Sequence, residues 1–405
     1  MTDWGTRAAV LLEELSRCSE PGLGVTRLPF TPEHRAAIDL LSERMEQAGL
    51  EVALDAAGTL IGRKEGPAGA GTFLMGSHQD SVREGGAYDG IMGVVLPLIA
   101  LEKLKAGGTE LPFSVEILAF ADEEGVRFPT ALIGSRALAG SFDPAVLEMT
   151  DRDGISLRDA LSGFGLTPDG IGQLARGPGD VIGFLETHIE QGPVLEREDE
   201  AVGIVTAICG IERHQISVIG ETGHAGTLPM EGRRDALVGA AALVTEVNRM
   251  ARATPDLRAT VGALTVEPNV VNAVPRAVRL TAEFRSPDDE TRSLAGENLH
   301  RFAHALAQES RLQITCTRTY QQKAQPCAAE LSECLKDASR HARTRALSLP
   351  SGATHDASAM ADLCPVAMLF VRCRNGVSHT PEEFASASDM GVAIDVLAHF
   401  LKSVR

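Results

Sequence analysis

"TFLMGSHQDSVREGGAYDGIMGVVLPLIALEKLKAGGTELPFSVEILAFADEEG", residues 72–125, runs from one short apolar stretch through a glycine-rich polar loop and a helical pattern to a second apolar stretch. "TFLM" at 72–75 and "SVEILAF" at 114–120 are continuous and apolar, as buried strands are. Between them, "GIMGVVLPLIALEKLKAGG" reads as a helix, with a kink expected at Pro97. Strand, helix, strand is a βαβ unit, so the segment predicts an α/β domain with a central mixed sheet that includes parallel strands. Upstream, "TPEHRAAIDLLSERMEQAGL" is a helix with Thr31 as N-cap, Pro32 at its first position and Gly49 as its stop.

The pattern changes near residue 210. From there the chain reads strand "IERHQISVIG", helix "GRRDALVGAAALVTEVNRMA", strand "RATVGALTVE", strand "RAVRLTAEFRS", helix "DETRSLAGENLHRFAHALAQES" and strand "LQITCTRTY". That β-α-β-β-α-β order is ferredoxin-like. Helix and buried strand return after residue 321, which predicts an α+β domain at 210–321 inserted into an α/β domain made of 1–209 and 322–405. A chain of 405 residues exceeds what one hydrophobic core usually supports, in keeping with two domains.

Composition excludes several classes of function. Lys and Arg number 38 against 55 Asp and Glu, a net charge of -17, so no basic footprint for nucleic acid exists. The seven cysteines form no CxxC pair and are odd in number, which favours reduced thiols in the cytoplasm. The opening "MTDWGTRAAVLLEELSRCSE" reads as an amphipathic helix and not as a signal peptide. The longest apolar run, "VVLPLIAL" at 94–101, is too short to cross a bilayer, so no membrane partner is expected.

The chemistry lies in four clusters, each placed at the end of an apolar strand candidate: "GSHQD", "ADEEG", "ETHIEQG" after "VIGFL", and "GVSH" after "VAMLFV". Open α/β sheets bind ligands at the carboxyl ends of their strands, so these loops are expected to converge. Imidazole and carboxylate donors without cysteine suit Zn²⁺ or Mn²⁺. The expected ligands are His78, Asp89, Glu124, His188 and His379. Five are too many for one catalytic zinc and suit two ions sharing a carboxylate, with Asp89 as the bridge. The glycines before and after Asp89 let the backbone bring it back beside His78. Asp80 is expected to accept the other His78 ring N–H and fix its tautomer. Adjacent side chains point apart, so Glu124 is assigned to metal and Glu123 to proton transfer as general base and acid.

Taken singly, each cluster has a bland explanation: a satisfied histidine, a solvated acidic loop or an ordinary Gly-Asp turn. Four of them in register at strand ends weaken that explanation. His34, His300, His304, His341 and His399 fall in helical stretches and His214 in a strand, and all read as structural or surface residues. His355, in "SGATHDAS", stays open between a structural loop role and the margin of the site. His224 lies in a glycine-flanked loop and Asn272 in "EPNVVNAVP". Arg285 either snorkels from its strand or reaches a bound carboxylate.

Together "GSHQDSVREGGAYDGIMGV", "ADEEGVRFPTALIGSRALAG", "ETHIEQGPVLE", "GETGHAGTLPM", "SGATHDA" and "GVSHTPEE" resemble the allantoate amidohydrolase and N-carbamoyl-L-amino acid amidohydrolase family, within the dinuclear aminoacylase and metallopeptidase superfamily. The resemblance implies two divalent ions per subunit, zinc or manganese first, with cobalt or nickel as alternatives. His78, Asp89 and His188 would hold one ion, and Asp89, Glu124 and His379 the other. It implies that Glu123 is the catalytic base, that Asn272 and Arg285 hold a substrate carboxylate, and that Gln191 lies near the metals. The ferredoxin-like domain would act as a lid and as the contact of a homodimer, with His224 entering the partner's site to stabilise an oxyanion. The expected reaction is hydrolysis of a ureido C–N bond in a small anionic substrate. "LCPVAMLFVRCRNGVSH" and "EEGVRFPTALIGSRALAG" look closest to the allantoate branch; the N-carbamoyl-L-amino acid branch is the alternative, and a catalytically silent metal-stabilised protein is the reading from another class. One departure is Thr354, where the family more often has glycine; a positive φ there would strain a β-branched residue.

Overall fold

The structure, a computed structural model, describes residues 3–177 and 179–404. It divides into two compact units. The larger is built from the segments ending at Thr206, running from Cys327 to Leu349 and starting at Thr354; the smaller comprises Ala207–Pro326 and Pro350–Ala353. The smaller unit extends past 210–321 at both ends; at the first, Ala207, Ile208 and Cys209 continue a buried apolar run with no change of pattern to mark a boundary.

In the larger unit the strands are β1 (Glu51–Leu54), β2 (Leu60–Lys64), β3 (Thr72–His78), β4 (Ser114–Phe120), β5 (Val181–Ile189), β6 (Val202–Ile208) and, after the strands of the smaller unit, β12 (Val366–Val371). They lie in the order β1-β2-β4-β3-β5-β12-β6 within one mixed sheet. β4, β3, β5 and β12 run parallel to one another, and the pairs β1/β2, β2/β4 and β12/β6 are antiparallel. Every residue of β3, β4 and β12 is buried, as a sheet covered on both faces requires. Phe73, Met75, Val115 and Ile117 pack in one cluster with Leu96, Leu98 and Ile99 of the helix Met92–Ala106 and with Phe400 and Leu401 of the helix Ala387–Ser403. Each such side chain taken from water stabilises the fold by ~1.5–3 kcal/mol. The helix Pro32–Ala48 starts on a Thr31 cap and stops at Gly49, whose φ of 91° needs glycine.

Two strands run further than their apolar stretches. β3 continues to His78 because Gly76, Ser77 and His78 keep their pairing with Leu118, Ala119 and Phe120. β5 continues to Ile189, so His78 and His188 sit on strands and not in the loops beyond them.

The smaller unit has β7 (Gly210–Ile219), a helix Ala236–Ala253, β8 (Arg258–Thr260), β9 (Leu264–Glu267), β10 (Ala277–Ser286), a helix Asp289–Ser310 and β11 (Gln313–Gln322). The sheet order is β11-β7-β10-β8, with β9 also on β10, and neighbours are antiparallel. "RATVGALTVE" is therefore two short strands and not one. The ladder breaks at 261–263, around Gly262, a residue with high backbone freedom and no side chain to pack. Ile216, Val218, Leu280, Ala282 and Phe284 face Ala240, Leu243, Val247, Leu299 and Ala303 of the two helices in a core of its own.

Candidate metal centre

Parallel pairing puts the carboxyl ends of β3, β4, β5 and β12 along one edge of the larger unit's sheet. His78 ends β3, His188 is the penultimate residue of β5, Glu123 and Glu124 follow β4, and His379 follows β12. Asp89 returns to this edge through Gly90, whose φ is +66°; a Cβ built there would lie 2.3 Å from His78 Cε1. Only glycine meets both conditions.

The two Asp89 oxygens face different partners. Oδ1 lies 3.0 Å from His188 Nε2 and 3.7 Å from His78 Nε2, and these two ring nitrogens are 3.5 Å apart. Oδ2 lies 3.2 Å from His379 Nε2, which is 3.8 Å from Glu124 Oε1. Within each triplet, His78–Asp89–His188 and Asp89–Glu124–His379, one ligand atom per residue falls within 4.8 Å of the others. Nδ1–H of His188 donates to the Ile189 carbonyl at 3.0 Å, and that of His78 to the Asp80 carbonyl at 3.0 Å, so both rings present Nε2 toward Asp89.

Residues 74–403 match the peptidase family M20/M25/M40. The chain belongs to that family. An N-carbamoyl-L-amino acid amidohydrolase of Geobacillus stearothermophilus is 40% identical over 381 residues, 94% of this chain and 93% of the relative. An allantoate deiminase of Arabidopsis thaliana is 36% identical over 98% of this chain and 82% of the relative. Among solved structures, a hydantoinase/carbamoylase family amidase from Burkholderia multivorans superposes with a TM-score of 0.93 at 32% identity, covering 98% of this chain and 97% of that one.

In this M20 chain two expectations about the site need correction. The Asp80 carboxylate is not what orients His78: its Oδ1 is 3.8 Å from Nδ1, and the main-chain carbonyl of Asp80 takes the proton. The carboxylate instead accepts the main-chain N–H groups of Glu123 and Glu124, each at 3.2 Å, and so fixes the acidic loop. Glu123 and Glu124 do not point apart either. β4 has ended, Asp122 is left-handed at φ 57°, and the turned chain brings one oxygen of each within 4.8 Å of the other and of a His78 ring nitrogen. Glu123 Oε2 is 3.9 Å from His78 Nε2.

Burial lifts the Glu123 carboxyl well above its ordinary range, and the charges of Glu124, Asp356 and Asp80 lift it further. Burial also lifts Glu124, to about 7, against the pull of His78. For Asp89 burial is outweighed by His188, His379 and His78, which hold it well below the carboxylate range. A buried concentration of carboxylates with converging imidazole nitrogens fits divalent cations, which offset the repulsion.

Two residues around Asp89, Glu383 and Ser378, had no sequence signal. Glu383 Oε1 accepts from the main-chain N–H of Tyr88 at 2.9 Å and of Asp89 at 3.0 Å. Ser378 Oγ is 3.1 Å from Asp89 Oδ2 and 2.8 Å from Glu383 Oε2. Gln191 Nε2 donates to Asp89 Oδ2 at 3.0 Å, so this residue does reach the cluster. His355 packs edge-on to His188 with ring centroids 4.6 Å apart, which puts it at the margin of the site. Gln191 and His379 are left-handed at φ 53° and 59°, conformations that cost roughly 1–2 kcal/mol per non-glycine residue.

The remaining candidates belong to the smaller unit. His224 and Asn272 lie in adjacent exposed loops: His224 bridges Ala273, and the Ala225 N–H donates to the Asn272 carbonyl at 2.9 Å. Arg285 donates to Glu283 Oε1 and to the Gly352 carbonyl, both at 2.8 Å, so its guanidinium is fixed and does not snorkel freely. Thr354, which begins the last segment of the larger unit, is not among the positive-φ residues, so its loop avoids the strain its β-branch would cause there.

Proposed function

We propose that this chain hydrolyses a ureido C–N bond of a small anionic substrate, allantoate in the first instance, at a dinuclear centre built on Asp89. The observation that carries the reading is the division of the two Asp89 oxygens between separate donor sets. His78, Asp89 and His188 would hold one ion and Asp89, Glu124 and His379 the other. Two divalent ions supply Lewis acidity that polarises the ureido carbonyl and makes water more acidic. Zinc or manganese suits the donors best, and cobalt or nickel accepts them too.

Glu123 takes a proton from the attacking water and passes it to the departing nitrogen, so that ammonia leaves and the carbamate product loses carbon dioxide. Arg285 and Asn272 hold the substrate carboxylate, where a fixed guanidinium suits bidentate recognition. His224 donates to the developing oxyanion in the partner's site, which makes the working form a homodimer. The compartment proposed is the cytoplasm, consistent with seven free cysteines; no helix is long and apolar enough to cross a membrane among the described residues.

N-carbamoyl-L-amino acids are the second substrate class, favoured by three relatives of that name at 37–40% identity. Measuring kcat/KM for allantoate against a panel of N-carbamoyl-L-amino acids tests the choice. Preference for any member of the panel moves the assignment to the second class, and no turnover of any ureido or amide compound by the metal-loaded protein leaves a silent metal-stabilised protein.

A further inference from the structure

The smaller unit contains metal-ligating side chains that the proposed reaction does not use. His214 is on β7, Cys316 on β11 and His300 on the helix Asp289–Ser310. Cys316 pairs with Ile216 across the two strands, so His214, two residues from Ile216, shares with it the face that packs against the helices. His300 Nε2 lies 3.3 Å from His214 Nδ1 and 3.6 Å from Cys316 Sγ, and Sγ is 3.8 Å from His214 Nδ1. For tetrahedral bonds of about 2.05 Å to nitrogen and about 2.3 Å to sulfur, ligand atoms sit about 3.3 Å (N to N) and about 3.6 Å (N to S) apart. The three separations lie within 0.2 Å of those of that tetrahedron.

The surroundings orient the donors. Nε2–H of His214 donates to Glu212 Oε1 at 2.8 Å, which leaves the Nδ1 lone pair aimed at the cluster, as in carboxylate–histidine–metal arrangements. Both residues are buried, and Arg292 Nε lies 3.7 Å from the other Glu212 oxygen. Gly296, one turn before His300, lets the helix approach: a Cβ there would lie 2.2 Å from Glu212 Oε1 and 3.1 Å from His214 Nε2.

We propose that His214 Nδ1, His300 Nε2 and Cys316 Sγ form a mononuclear site for a borderline divalent cation such as Zn²⁺, with water as fourth ligand beside the exposed His300. Binding converts the thiol to a thiolate and releases its proton to solvent. The ion ties the edge strand β11 to β7 and the helix.

Cobalt tests this, because a thiolate bound to Co²⁺ gives a near-ultraviolet charge-transfer band that imidazole and carboxylate ligands do not. Metal-depleted full-length protein titrated with Co²⁺ is expected to develop the band, Asp89→Asn to retain it, and Cys316→Ser to lose it. His300→Ala removes a solvent-exposed ligand and leaves packing in place. It is expected to raise the half-saturating cobalt concentration at least tenfold and to lower the metal content by one ion per chain. No band in the unsubstituted protein, a band unchanged in Cys316→Ser, or an unshifted titration in His300→Ala overturns the site.

Discussion

Asp89 and Glu123 carry opposite burdens. Asp89 is held as an anion by three imidazoles, and its oxygens are further fixed by Gln191 and Ser378. Replacing it with Asn removes the shared charge, so Asp89→Asn is expected to bind fewer than two ions per chain at the centre and to lose activity; metal analysis and turnover check this together. Glu123 lies beside His78 and belongs to neither triplet around Asp89. Glu123→Gln is therefore expected to keep the metal content while kcat falls by ~10²–10⁴-fold, the usual size of a general-base contribution. A near-normal kcat with both ions bound removes Glu123 from that role. Which residue types the site needs was legible here: His, Asp and Glu at four strand ends announced themselves. The support from Glu383 and Ser378 was not, since a surface-looking "HTPEE" gives no sign that one of its carboxylates reaches back under Asp89.

At the scale of elements, strand and loop geometry place those residues. Gly90 shows how tightly: its positive φ and the His78 ring both exclude a side chain. Gly90→Ala is expected to cost more than ~1 kcal/mol of stability and to weaken metal binding, read from a urea midpoint and a metal titration. The helix Pro32–Ala48 has its own sensitivity. His34 is buried, accepts the Phe30 N–H at 2.9 Å on Nδ1, and is pushed down to about 3 chiefly by burial, with Arg27 and Arg35 adding to it. The unfolded chain takes up a proton near pH 6.5 that the folded ring refuses, so the stability from neutral His34 is complete above pH 6.5 and falls as pH drops toward 3. The slope for one proton is ~1.4 kcal/mol per pH unit. His34→Asn is expected to flatten the acid-side decline of the denaturation midpoint between pH 6.5 and 4. Caps and stops of this helix were readable because Thr31, Pro32 and Gly49 act locally. The ends of β3 and β5 were not, because pairing with a neighbour, and not local hydrophobicity, keeps "GSH" and "ETHI" in the sheet.

For the whole molecule, the expected dimer makes a prediction that neither unit makes alone. If His224 works in the partner's site, inactive Glu123→Gln and inactive His224→Ala subunits complement one another on mixing, since each mixed dimer contains one site with both residues intact. Random exchange then restores roughly a quarter of the unsubstituted activity. Absence of recovery, with mixed dimers demonstrated by native mass, returns His224 to its own subunit. Chelation tests the centre at the same scale: activity is expected to vanish while far-ultraviolet dichroism is retained, because the larger unit's core is built from Phe73, Ile117, Leu98, Phe400 and their neighbours without the ions.

Side-chain type and short-range periodicity were enough to read the βαβ pattern, the succession of strands and helices in the inserted unit apart from the split of "RATVGALTVE" into β8 and β9, and the chemical identity of the donors. Three things came from the folded chain alone: which Asp89 oxygen meets which imidazole, that the Asp80 carbonyl and not its carboxylate orients His78, and that His214, His300 and Cys316 converge. The first and last of these depend on packing between residues far apart in the chain, 86 positions for His214 and His300 and 289 for Ser378 beside Asp89, and the second on the local turn after β3, whose shape residue types alone do not encode.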